Sequence, residues 1–144
     1  MPSDYAGSCH CGAIGFTYRT GIEPPGWSIR ACQCSFCRAH DALSTSDPAG
    51  QISFVASRPE SLQKYRFGLR TADFLLCREC GVYIGAVIAS AGDAFGIVNV
   101  HALKETPDDL AEVAAISYDA EGADGRVSRR EERWTPVIEV PEIL

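Results

Sequence analysis

Cys77-Arg78-Glu79-Cys80-Gly81 is a C-x-x-C turn closed by a glycine, and it has a counterpart upstream in Cys9-His10-Cys11-Gly12. Residues two apart in extended chain project to the same side, so C-x-C aims two sulfurs at one point, and a C-x-x-C turn does the same. A glycine directly after each pair tolerates the positive φ with which the backbone folds around an ion. Four thiolates from Cys9, Cys11, Cys77 and Cys80 would complete a tetrahedral site at ~2.3 Å per metal–sulfur bond, tying the N-terminus to the middle of the chain. Buried, unligated cysteines are the competing reading, but burial explains neither the spacing nor the clustering.

The remaining three of the seven cysteines stand in Cys32-Gln33-Cys34-Ser35-Phe36-Cys37, which is followed by Arg38 and not by glycine. A metal held by three protein ligands keeps a fourth position for water or substrate. Three thiolates also make it a weaker Lewis acid than a three-histidine site would, and favour a soft sulfur as the fourth ligand. That points to a thiol substrate. His40 offers alternatives: it could close the site as a fourth ligand, shuttle a proton, since free imidazole titrates at ~6.5, or be an ordinary hydrogen-bonded residue. Arg30 and Arg38 lie within two residues of this second group, and Arg78 within two residues of Cys77 and Cys80. They could bind carboxylates of a small acidic substrate or balance the thiolate charge. His10 alternates with its flanking cysteines and should point away from the metal; His101 has no assigned role.

The bulk numbers agree with a packed domain. At 144 residues, 46% hydrophobic and 22% charged, the chain is expected to form a single domain over 1–144. A net charge of -6 and a pI near 5.0 argue against nucleic acid as a partner. No apolar stretch approaches the ~20 residues of a spanning helix, so no membrane association is expected. The opening MPSDYAGSCH lacks the basic start and apolar run of a secretory signal, which leads us to expect a cytoplasmic protein. In that reducing compartment seven cysteines read as ligands or reactive thiols, and the odd count defeats complete disulfide pairing.

Alternating apolar residues predict strands at Ile14–Tyr18, Trp27–Ala31, Ile52–Ala56, Lys64–Phe67, Asp73–Leu76, Val82–Ile88 and Phe95–Val100. Ser35 to Leu43 predicts one short helical turn. Thr106 followed by Pro107, Asp108 and Asp109 has the cap, proline and acids of a helix start, predicting a helix to about Ala115. Asp119 to Gly125 reads as an exposed acidic loop, and Arg126 to Arg133 as a solvated strand or hairpin edge. The expected architecture is mainly β.

With the motifs in place, Gly7-x-Cys9-x-Cys11-Gly12, Cys32-x-Cys34-x-x-Cys37-Arg38 and Cys77-x-x-Cys80-Gly81, and then Asn99-Val100-His101-Ala102-Leu103, the chain resembles the glutathione-dependent formaldehyde-activating family, also called S-(hydroxymethyl)glutathione synthase-like or Mss4-like proteins. The similarity covers roughly 5–104, leaving 105–144 as a C-terminal extension of the same domain. The resemblance implies a zinc-stabilised Mss4-like β-tent of antiparallel sheets with one or two short helices. It further implies two Zn²⁺ ions, a structural one on Cys9, Cys11, Cys77 and Cys80 and a catalytic one on Cys32, Cys34 and Cys37. The implied activity is that of a carbon–sulfur lyase or synthase joining a glutathione-like thiol to an aldehyde, with Arg38 as a substrate-binding candidate and His40 and Asp41 as proton-transfer candidates. Leu76 stands where many relatives have phenylalanine, and Asp41 where glycine is common. A thiol-binding carrier or a zinc-stabilised interaction module would use the same cysteines without turnover. Thiol–disulfide exchange lacks a βαβ context, and a nucleobase deaminase would need H-x-E and P-C-x-x-C, which are absent.

Overall fold

A computed structural model describes residues 2–118 and 120–141. β1 (Ser3–Ser8) and β2 (Ile14–Thr20) pair as an antiparallel hairpin whose turn carries the first cysteine group. In β2, Ile14, Phe16 and Tyr18 are buried while Thr17 and Arg19 face solvent, the period of two expected of a half-buried strand. β3 (Ile29–Cys32) leads into α1 (Ser35–His40), followed by the short β4 (Ser44–Thr45) and by β5 (Gln51–Ala56). β6 (Leu62–Tyr65), β7 (Asp73–Cys77), β8 (Tyr83–Ser90) and β9 (Asp93–Asn99) then form an antiparallel meander. The C-terminal part adds β10 (Val113–Ile116), α2 (Ala123–Arg133) and β11 (Thr135–Glu139).

All the strands belong to one hydrogen-bonded system in the order β1-β2-β5-β11-β9-β4-β3-β10, with β8, β7 and β6 branching from β9. The branch exists because β9 is shared: β8 runs along one edge, while the other pairs with β11 at Phe95–Gly96 and with β4 at Val98–Asn99.

The fold is mainly β, as expected, but three local expectations are corrected. The sheets are not wholly antiparallel, because β10 runs parallel to β3 and β11 parallel to β5. The helix expected from Thr106 to Ala115 is absent. Asp108 and Asp109 form a turn, and Val113–Ile116 pairs with β3, where strand hydrogen bonding outweighs a good cap signal. Finally, the strand edge expected at Arg126–Arg133 is helix α2, which already begins at Ala123, inside the expected loop; Asp119 of that loop lies outside the described residues.

Two apolar clusters fill the interior. One gathers Phe16, Tyr18, Trp27, Ile52, Phe54 and Val98 and includes Cys9 and Cys77. The other gathers Phe74, Tyr83, Ile88, Ile97 and Trp134 and includes Cys37. Each cysteine group is thus seated on its own core. Among the described residues no helix is long and apolar enough to cross a membrane.

Candidate metal centres and an adjoining cavity

The first centre joins two turns. Cys9 and Cys11 lie between β1 and β2, and Cys77 and Cys80 lie between β7 and β8. Gly12 and Gly81 adopt φ of 84° and 81°, the conformation for which the trailing glycines were singled out. Backbone N–H groups point inward: Ile14 N donates to Cys9 Sγ, and Glu79 N and Cys80 N donate to Cys77 Sγ, each at 3.4 Å. Cys9 and Cys11 sulfurs are 3.7 Å apart, and Cys11 and Cys77 sulfurs 3.6 Å. A tetrahedron with ~2.3 Å metal–sulfur bonds has edges of about 3.8 Å, so the four sulfurs fit one small divalent ion. Arg58 Nη2 lies 3.5 Å from Cys11 Sγ and donates to Glu79 Oε2 at 2.7 Å, placing a guanidinium against the thiolate cluster. Burial opposes ionisation of Cys80, but the N–H groups of Cys11 and Val82 and the neighbouring thiols outweigh it and hold its pKa to about 6.

The second centre comes from one continuous stretch. Cys32 ends β3, Cys34 caps α1 by accepting the Cys37 N–H at 3.3 Å, and Cys37 is buried in the first turn of the helix. The three Sγ atoms lie within 4.8 Å of one another, and no histidine belongs to this group among the described residues. Hydrogen bonds from Cys32 and Cys37 draw the Cys34 thiol down to about 2, while the same contacts push the Cys37 thiol up. Three sulfurs this crowded ionise together only beside a cation, so the donor set fits a thiophilic metal. All seven cysteines are free of disulfides.

This second centre opens on a cavity of about 330 Å³. Cys32, Cys34 and Cys37 line it, with Phe67, Phe74, Tyr118 and Trp134 as its aromatic wall and Arg30, Arg126, Arg129 and Arg130 as its cationic one. Arg130 is only 6% exposed, and its Nη1 donates to Thr71 Oγ1 at 2.6 Å. Burial lowers its pKa to about 10, which still leaves it charged at neutral pH. Behind the aromatic wall, the buried Tyr83 hydroxyl has no hydrogen-bond partner among the described residues, and burial followed by the nearby cysteines pushes its pKa up.

Of the residues read from sequence, Arg30 reaches the cavity, where it donates to Ser46 Oγ at 2.8 Å and Ser28 Oγ at 3.2 Å. Arg38, His40 and Asp41 are exposed and do not line it. The His40 ring packs against Phe36 in a tilted arrangement, with ring centroids 4.5 Å apart. Asp41 ends α1 at φ 50°, with its carboxylate 3.9 Å from His101 Nε2. The left-handed conformation gives the physical reason that glycine suits this position. His10 and Arg78 face solvent beside the first centre. Sequence reasoning missed Arg126, Arg129, Arg130 and Trp134. Their i, i+3, i+4 spacing was the available signal, but the inward-facing residues are charged, so no apolar stripe announced the helix.

The fold and the two sulfur clusters define a mainly β protein with two candidate thiolate metal centres, one closed by four cysteines and one with three cysteines beside a cavity. A family model described as glutathione-dependent formaldehyde-activating enzyme matches residues 4–120, and the chain belongs to that family. The match runs further than the similarity read from the motifs and stops short of α2. A crystal structure of a Rhodobacter sphaeroides protein is similar, with 34% sequence identity and a TM-score of 0.58 over 77% of this chain and 99% of that chain.

Proposed function

We propose that the chain is a zinc-dependent carbon–sulfur lyase or synthase that interconverts a thiol plus an aldehyde with their hydroxyalkyl thioether adduct, of which S-hydroxymethylglutathione is the family example. Three sulfurs at the edge of a cavity carry this reading. In it, Cys9, Cys11, Cys77 and Cys80 hold a structural Zn²⁺, and Cys32, Cys34 and Cys37 hold a second. Zinc bound there would favour a further sulfur ligand in its thiolate form. In the forward direction a C–S bond forms between the thiol sulfur and the carbonyl carbon; the thiol gives up its proton and the carbonyl oxygen gains one.

The chain's own contribution is shape and polarity. Phe67, Phe74 and Trp134 limit water around the sulfurs, and the cavity orients the adduct's carbon toward them. Because His40 and Asp41 lie outside the lining, the proposal routes protons to solvent and gives these two no contact with the reacting atoms. Arg38, exposed on α1, is kept only for the outer end of a long thiol such as glutathione.

The test is exchange spectroscopy of zinc-loaded protein with formaldehyde and glutathione. Adduct exchange faster than the uncatalysed rate, abolished by Cys34→Ser, supports the proposal. Saturable thiol binding without acceleration for any aldehyde tried identifies a carrier instead.

A further inference from the structure

Helix α2 turns charged residues toward the protein interior. Arg126 and Arg130, one turn apart, both line the cavity beside Cys32, Cys34 and Cys37, and Arg30 joins them from β3. Buried guanidinium groups are costly unless paired, and the pairing here is incomplete. Arg129 is spoken for: it pairs with Glu121 at 3.0 Å and lies over the Tyr118 ring at 3.5 Å. Among the described residues no carboxylate pairs with Arg30, Arg126 or Arg130. Arg126 Nη2 donates to the Tyr118 carbonyl at 3.0 Å, but the buried Nε atoms of Arg126 and Arg130 have no hydrogen-bond partner among the described residues, although Arg130 is only 6% exposed. Its guanidinium is also stacked over Trp134 at 4.8 Å, which fixes it in place.

The three thiolates account for part of this charge. Four guanidinium groups around the cavity are balanced by three thiolates and Glu121, and a divalent ion on the sulfurs leaves two positive charges in excess. We infer that Arg126, Arg130 and Arg30 form a carboxylate-recognition wall, which selects small thiols bearing one or two carboxylates close to the sulfur over neutral thiols. The inference rests on the proposed thiol chemistry of the same cavity and adds the substrate class. Guanidinium is suited to the role because its planar fork meets a carboxylate through two parallel hydrogen bonds, and donors already desolvated by the fold lose little more on binding.

Calorimetric titration of the zinc-loaded protein with mercaptosuccinate, with the neutral 1-thioglycerol and with succinate tests it. The expected result is that mercaptosuccinate binds about tenfold or more tightly than thioglycerol, the worth of one charge-assisted pair. Arg126→Gln should remove that advantage, and Arg126→Lys should restore only part of it. Arg126 is chosen over the more deeply buried Arg130 to keep the fold, which circular dichroism checks; if Arg126→Gln unfolds, the comparison of the two thiols on the unaltered protein decides. Equal affinity for the two thiols, or an advantage that survives in folded Arg126→Gln, overturns the wall while leaving the thiol chemistry standing. Succinate binding that Arg126→Gln weakens, with neither thiol competing through its sulfur, supports the wall and counts against the thiol chemistry. No binding by any of the three overturns both.

Discussion

The two sulfur clusters use nearly the same atoms to opposite ends. The first draws its ligands from two turns far apart in the chain, Cys9–Cys11 and Cys77–Cys80, and both turns need a glycine at positive φ to come around. An ion there would close a long loop, so its binding energy would be folding energy. The second draws all its ligands from Cys32 to Cys37, where a strand end and a helix cap already place the sulfurs together. An ion there would close almost no chain, and its free side meets a cavity walled by α2 and by the β6–β7 connection around Gly68 and Leu69. Ligands distant in sequence suit a staple; ligands close in sequence leave one face of a metal for chemistry.

The sharpest way to break this contrast is Cys77→Ser. If Cys77 holds a metal ion, removing its thiolate from the first core should lower stability by about 5 kcal/mol or more, enough to unfold many domains, as read by thermal melting and metal content. A variant melting like the parent would mean that the first cluster is not a staple. Cys34→Ser should instead abolish the proposed thiol-dependent exchange and lower the bound metal by one ion per chain, while costing less than about 1 kcal/mol, since a serine hydroxyl can keep the cap bond to Cys37 N–H. Global unfolding of this variant would erase the distinction between the centres. Asp41→Gly, at the left-handed end of α1, should raise stability by about 0.5–1 kcal/mol, measured by denaturant titration. A loss of stability would show that the Asp41 carboxylate contributes more than its backbone strain costs. The smallest effect belongs to His40→Asn. Residues that transfer protons to reacting atoms typically contribute ~100-fold or more, so a fall in turnover well below that is expected from a side chain outside the cavity, and a full loss would return His40 to the chemistry.

Much of the first centre was legible because its signals are local and stereochemical. C-x-C and C-x-x-C spacing fixes where sulfurs point, and a glycine after each pair anticipates a positive φ, found at Gly12 and Gly81. Apart from β1 and β4, which carry no run of alternating apolar residues, the strands of the first two-thirds were legible for a similar reason: Ile14, Phe16 and Tyr18 bury alternate side chains against one core. Past Pro107 this logic fails. The residues from Thr106 to Asp109 look like a helix start, yet the segment after them is claimed by the edge of β3, a partner some eighty residues away that no local pattern can announce.

The sequence by itself determined that seven cysteines fall into a set of four and a set of three, and that the chain is mainly β. Only the tertiary structure decided what faces the second set. Spacing placed Arg38, His40 and Asp41 beside Cys37, but the helix turns them outward; it is α2, folded back from the C-terminal part, that sets Arg126 and Arg130 against the cavity. Ligand spacing is a property of a few bonds, whereas the occupants of a cavity wall depend on which distant segments pack together, and an inward face made of arginine has no signature until its surroundings are known.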